Sequence, residues 1–230
     1  MKKIRLLIRV FLRWLKDLNS GYKFAKGENS QPPLIYHIDV HQPFKPSKTL
    51  EAKKHNLRIA SRRIERVTLL PGEVFSFWKI VGNPNRKAFR SSRSIVAGQL
   101  KIERGGGLCQ VSGIVYHLAL IAGLEIIERY AHSIDLYTDE TRFCPLGSDA
   151  TVAYGYRDLR FRNNTDKALC FLFHIDDEGI ECCLHSTEPL QKHELAFDTS
   201  MLPDGRKKAV VTDLTTGQVL TTDIYEKFNQ

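Results

Sequence analysis

Three consecutive glycines, Gly105-Gly106-Gly107, run straight into Leu108-Cys109-Gln110 and the apolar series Leu108, Val111, Val115, Leu118 and Ala122, spaced 3, 4, 3 and 4. That spacing predicts a helix buried along its length and closed by Gly123. Glycines at its entry open backbone conformations denied to other residues and let another group approach the main chain closely. A chain of this kind must wrap its core around one central helix that starts at a tight bend.

The flanking segments supply the wrapping. Leu57, Ala60, Ile64 and Val67 share one face of a helix predicted from about Thr49 to Leu69 and stopped at Pro71-Gly72. Glu73 to Val81 reads as an aromatic strand turned at Gly82-Asn-Pro-Asn85, and Ser91 to Ile102 as irregular. Beyond the central helix, strands are predicted over Leu124 to Tyr130, Asp149 to Phe161, Ala168 to Ile175 and Ile180 to His185. A C-terminal meander follows over Glu194 to Thr199, Lys207 to Leu214 and Gln218 to Phe228. Helix, strand, helix and then many strands point to an α+β fold with a mostly antiparallel sheet.

Charge is unevenly placed. Of the net +8, the first 26 residues hold eight Lys or Arg against one acid, Asp17, a net +7. The remainder is nearly neutral, which argues against a basic nucleic-acid-binding domain. Ile4, Leu7, Ile8, Phe11, Leu15 and Leu18 fall at helical spacing with Arg5, Arg9, Arg13 and Lys16 largely opposite, so residues 1–26 read as a basic amphipathic helix. Two readings fit: residues 3–18 lie on an anionic membrane surface, or the helix docks on the protein's own core. Arg9 and Arg13 interrupt the apolar run and no small-x-small cleavage site follows, so neither a cleaved leader nor secretion is expected. A cytoplasmic protein, peripheral on the inner membrane face, is the expected location. Residues 27–48, rich in Pro, Asn, Ser and Gly, read as a linker with an edge strand over Leu34 to Val40, and 49–230 as the main domain. Its motif core spans about 70–190 and a β extension covers 191–230. Five cysteines, two of them adjacent at Cys182-Cys183, suit reduced thiols better than a disulfide framework.

Cys109 occupies the first turn of the predicted central helix, where free amides and the positive helix end favour a thiolate. It is either a nucleophile or a small buried residue at a strand-to-helix junction. A nucleophile needs a base and the base an orienting acceptor. His117, eight residues on, is about 12 Å farther along the axis and reads as packing. His132 follows a strand that returns from the end of that helix, and Phe143-Cys-Pro-Leu-Gly-Ser148 then delivers Asp149. The candidate catalytic set is therefore Cys109, His132 and Asp149, and the candidate binding set is Gly105, Gly106, Gly107 and Gln110. The alternation after Asp149 places Tyr154, Tyr156, Asp158, Arg160 and Arg162 on one side of a strand. Arg160 and Arg162 there either fork onto a carboxylate or phosphate or pair internally with acids. Cys, His and Asp are zinc-compatible types, but no compact spacing motif joins them, so no metal or other cofactor is expected.

Pro71-Gly-Glu-Val-Phe-Ser-Phe-Trp78, Gly105-Gly-Gly-Leu-Cys-Gln110, Ile127-Glu-Arg-Tyr-Ala-His132 and the run Asp149 to Thr165 resemble, in order and spacing, the bacterial VanW family over about residues 50 to 190. The resemblance implies an association with glycopeptide (vancomycin) resistance and the cell envelope. The order of Cys at a helix start, then His, then Asp is similar to that of transglutaminase-like or papain-like thiol enzymes. Two functions follow as expectations: a cysteine-dependent acyl transferase or hydrolase acting on a peptide, amide or cell-wall precursor, or a noncatalytic accessory or binding protein at the inner membrane face.

Overall fold

The computed structural model of the protein describes residues 2–27, 35–96, 99–135, 142 and 144–226. Leu34, Phe143 and residues 227–228, which the predicted strands and turn include, lie outside this set. In chain order the elements are α1 (Lys2–Asn19), β1 (Tyr36–Pro43), α2 (Leu50–Ile64), β2 (Thr68–Leu69), β3 (Val74–Ser76), α3 (Phe77–Val81), β4 (Ser91–Val96) and β5 (Gln99–Arg104). After these come α4 (Leu108–Ile121), β6 (Glu125–Glu128), β7 (Arg160–Arg162), β8 (Leu169–Ile175), β9 (Gly179–Ser186), β10 (Leu195–Met201), β11 (Lys207–Asp213) and β12 (Gln218–Tyr225). The fold is α+β, and the strand pairings within its sheets are antiparallel.

Helix α4 forms the axis of the core. Its Val111, Ile114, Val115, Leu118 and Ala119 are completely buried, and α2 lies beside it with Leu57, Ala60 and Ile64 in the same cluster. The Val, Leu and Ile side chains of this helix pair contribute about 1.5–3 kcal/mol each when fully buried. Around it stand a four-stranded sheet in the order β1-β9-β8-β2, a three-stranded sheet β3-β7-β6, the β4–β5 hairpin and the C-terminal meander β10-β11-β12. Strand β1 is an edge strand, and its whole length is paired with β9.

Three segments differ from the sequence expectation. The aromatic run after Glu73 extends only to Ser76 and then turns into α3. Ser76 is extended and caps the helix by accepting from Lys79 N, while Asp158 Oδ1 takes the Trp78 N–H at 3.0 Å. Ser91–Val96 and the start of Gln99–Arg104, expected to be irregular, are the paired strands β4 and β5. Ser91, Arg93, Gln99, Lys101, Ile102, Glu103 and Arg104 are exposed, and the inward positions between them on β4 are the serines Ser92 and Ser94, so no apolar alternation marks the strand there. Between Asp149 and Phe161 the strand begins only at Arg160. Gly155, at φ +81°, turns the chain back so that Ala153 pairs with Arg157.

Helix α1 docks, but not by its apolar face. A stripe of Leu6, Val10, Arg13 and Asp17 meets the domain. Leu6 and Val10 cover Gly155, Arg13 bonds Glu128 at 2.7 Å, and Asp17 bridges Arg160 at 2.6 Å and Lys79 at 2.8 Å. Ile4, Leu7, Ile8, Phe11, Leu12, Trp14, Leu15 and Leu18 remain exposed to solvent, between 37% and 68%. Among the described residues, no helix is long and apolar enough to cross a membrane.

Candidate active site

The entry to α4 is held from three sides. A Cβ on Gly106 would lie 2.2 Å from the Ser92 carbonyl oxygen of β4, and one on Gly105 would lie 2.6 Å from Pro84 Cβ. Gly107, in the left-handed region at φ +93°, is covered by the stem of Lys53 from α2. Asn56, fully buried on α2, donates to the carbonyls of Gly106 at 3.0 Å and Arg90 at 2.9 Å and accepts from Arg90 N at 2.8 Å. The glycine triplet thus admits neighbouring main chain and side chain around the first turn. Gly105 and Gly106 are filled by packing, and Gly107 is the member that lines a cavity.

That cavity, of about 470 Å³, contains Cys109, His132 and Asp149. The Cys109 Sγ lies 3.9 Å from the Val152 carbonyl oxygen. His132 arrives two residues beyond Tyr130, whose carbonyl takes the Thr151 N–H at 2.7 Å and so ties the exit of β6 to the 149–152 segment. Asp149 Oδ2 receives both the backbone N–H and the imidazole Nδ1 of His132, each at 2.7 Å. Its Oδ1 receives the Tyr225 hydroxyl at 2.5 Å and Arg129 Nη2 at 3.2 Å. With Nδ1 committed to the carboxylate, the other ring nitrogen is left for the sulfur.

The electrostatics form one coupled set. Burial pushes the Cys109 thiol up, but hydrogen bonding and charge from His132 outweigh it and hold the thiol below its ordinary value. Burial opposes charging of His132, yet the Asp149 carboxylate and the Cys109 sulfur hold the imidazole well above its ordinary range. Burial likewise works against Asp149, and His132, Arg129 and Tyr225 together keep it well below the usual carboxylate range. Each direction favours a thiolate facing an imidazolium oriented by a carboxylate.

Other predicted residues lie elsewhere. Arg160 is buried in pairs with Asp158 Oδ2 at 2.8 Å and Asp17, and Arg162 pairs with Glu125 at 2.8 Å. The internal pairing is what the structure displays, and neither arginine lines the cavity. His117 packs edge-on to Phe197, where burial pushes its imidazole down to about 4. Gln110 joins the cavity wall, with its backbone N–H bonded to Gly107 O at 2.9 Å and its side-chain amide without a partner among the described residues. Sequence reasoning missed Arg129 and Tyr225, which grip Asp149, and Gln42, Lys53 and Arg93 in the cavity wall. Arg129 sat inside the quoted motif before His132. Nothing in its surroundings along the chain marked it as buried, since β6 just before it is half-exposed while its own side chain is 6% exposed.

The fold and this site define a class: an α+β protein with a Cys-His-Asp constellation at the mouth of a central helix. A family model described as "VanW like protein" matches residues 52–185, and the chain belongs to the VanW family. It is 30% identical over 164 residues to "Vancomycin B-type resistance protein VanW" of Enterococcus faecalis (strain ATCC 700802 / V583), covering 69% of this chain and 60% of that one. It is 36% identical over 120 residues to "Uncharacterized protein YoaR" of Bacillus subtilis (strain 168), covering 52% of this chain and 38% of that one. The chain therefore spans less than two thirds of the length of either relative. No solved structure matches it.

Proposed function

We propose that the chain is a cysteine-dependent acyl transferase or hydrolase acting on a peptide or amide linkage. One observation carries this reading: Asp149 Oδ2 holds the ring and the backbone of His132 at 2.7 Å each, while the remaining ring nitrogen is turned to a Cys109 whose thiol is acidified. Main-chain and side-chain grips on one histidine fix its tautomer and direction, which packing of a loop histidine does not require. In the reaction, the Cys109 thiolate attacks the carbonyl carbon and the carbonyl oxygen takes up the electron pair. Collapse breaks the C–N bond as His132 gives its proton to the leaving nitrogen, leaving an acyl thioester. Water or an amine then loses a proton to His132, attacks the thioester and restores the thiolate.

The Gln110 main-chain N–H is already bonded to Gly107 O and does not serve as an oxyanion donor. The unpartnered side-chain amide of Gln110 and the first-turn N–H of Cys109 are the donors of this proposal. The substrate of this proposal is a cell-wall precursor or related envelope peptide, in line with the vancomycin resistance that the enterococcal relative is named for. The exposed apolar face of α1, flanked by the exposed Lys3, Arg5, Arg9 and Lys16, supports peripheral attachment to an anionic membrane surface at its cytoplasmic face.

Mixing the purified chain with p-nitrophenyl acetate tests the chemistry. The reading expects acetyl transfer to Cys109 and continued release of p-nitrophenolate, both lost in Cys109→Ala. A folded wild-type chain that releases p-nitrophenolate no faster than Cys109→Ala contradicts it and favours the noncatalytic accessory role.

A further inference from the structure

One wall of the cavity carries charge that the chemistry above does not use. Lys45, Lys53 and Arg93 line it, and none of them makes an ion pair among the described residues. The other charges of the cavity are matched: Asp135 holds Arg142 at 2.7 Å and Lys207 at 3.0 Å, and Asp149 holds His132 and Arg129. Lys53 is fixed in place. Its stem crosses Gly107 at the entry to α4, where a Cβ would lie 2.6 Å from Lys53 Cγ, and its ammonium sits 5.4 Å from the centre of the Phe44 ring. Burial and the neighbouring Arg93 charge pull Lys53 down to about 8, the behaviour of a cation crowded by another with no anion between them.

The same cavity is lined by two buried residues whose side-chain amides have atoms without a hydrogen-bond partner among the described residues. Gln110 is 8% exposed, with neither Oε1 nor Nε2 partnered, and Gln42 is 2% exposed, with Oε1 unpartnered. Burying such atoms unsatisfied is costly, so a small turn of either side chain that brings them to a ligand's polar groups favours binding. The C=O and N–H of a peptide bond are complementary to them, and a lysine beside an arginine is complementary to a carboxylate.

We infer that the Lys53–Arg93 wall binds a free carboxylate of the substrate while the side-chain oxygens of Gln42 and Gln110 accept N–H groups of its main chain. The preferred substrate is then a short peptide with a carboxylate near the bond attacked. This rests on Cys109 being the nucleophile, and it names the substrate class for that same site.

Two experiments keep this inference apart from the reading beneath it. In the first, Cys109 is alkylated by anionic iodoacetate and by neutral iodoacetamide. The iodoacetate-to-iodoacetamide rate ratio is expected to fall on the order of tenfold in Lys53→Met/Arg93→Gln, and to fall in wild type as salt is raised. Lys53→Met keeps a stem to cover Gly107, and Lys53→Arg is expected to retain the wild-type ratio. A reactive thiol whose ratio is the same in wild type and double variant overturns the carboxylate wall and leaves the nucleophile standing. In the second, binding of N-acetylglycylglycine, its C-terminal amide and inorganic phosphate to Cys109→Ser is followed by NMR, independently of thiol chemistry. The carboxylate peptide is expected to bind at least tenfold tighter than its amide, and tighter than phosphate, with the preference lost in the charge-removed background. Equal or absent binding of both peptides, or tighter binding of phosphate, overturns the inference even if Cys109 proves reactive.

Discussion

Asp149 accepts from His132 twice, from Tyr225 and from Arg129, so four hydrogen bonds converge on one largely buried carboxylate. Breaking a buried charge set by removing one member typically costs about 3–5 kcal/mol, because the remaining charges stay buried unpaired. Asp149→Asn should therefore lower stability at pH 7 by about 3 kcal/mol, measured by urea denaturation. The pH dependence has a defined sign. The folded-state pKa of Asp149 is depressed, so its contribution is present above the unfolded carboxylate value of about 3.9 and is lost as pH falls toward the folded value. Wild type should lose more stability than Asp149→Asn between pH 5 and pH 2, and an equal acid loss in both would contradict the assignment. At this scale much was legible: a thiol after a glycine bend, a histidine on the returning strand and a carboxylate behind it have recognisable chemistry and order. Tyr225 was not legible. It reaches Asp149 from 76 residues away, and its role depends on tertiary approach alone.

At the scale of elements, the β4–β5 hairpin and the C-terminal meander each reach into the site. The carbonyl of Ser92 lies where a Gly106 side chain would be. Backbone cannot yield as a flexible side chain can, so Gly106→Ala should destabilise by about 3 kcal/mol, at the upper end of overpacking costs. A Tm within 1 °C of wild type would show that β4 moves away freely. Tyr225 on β12 is a positioning residue, fully buried with its hydroxyl also accepting from Gly147 N at 3.0 Å. Tyr225→Phe should leave the fold intact but move the apparent pKa of Cys109 alkylation toward that of a free thiol, through a less firmly held Asp149 and His132. An unchanged pH profile would make Tyr225 merely structural. The helices α2 and α4 and the strands β8, β9 and β11 were readable because a buried face imposes a pattern, and the mostly exposed β10 and β12 because Pro203-Asp-Gly205 and Thr215-Thr-Gly217 mark the turns that join them to β11. The β4–β5 hairpin exposes most of its side chains, and a β-like run after Asp149 is turned back by Gly155, so composition misled there.

For the whole molecule, α1 sets the relation to its surroundings. It grips the domain through Arg13–Glu128 and Asp17–Arg160 and turns Phe11, Trp14, Leu15 and Leu18 outward. Periodicity revealed the amphipathic helix but could not reveal which face docks, since the docked stripe mixes two aliphatic residues with two charges. Full-length chain should sediment with vesicles containing phosphatidylglycerol and not with pure phosphatidylcholine, and Phe11→Ser/Leu15→Ser should abolish this. Equal sedimentation of wild type and variant would remove the membrane role without touching the thiol chemistry. That chemistry, the central claim, is tested most directly by the rate of Cys109 alkylation by iodoacetamide as a function of pH, in wild type and His132→Ala. The coupled thiolate–imidazolium pair predicts a midpoint below the free-thiol value of about 8.5 in wild type and a rise on loss of His132. A wild-type thiol that stays inert through pH 9, or one whose midpoint is the same with and without His132, would contradict it.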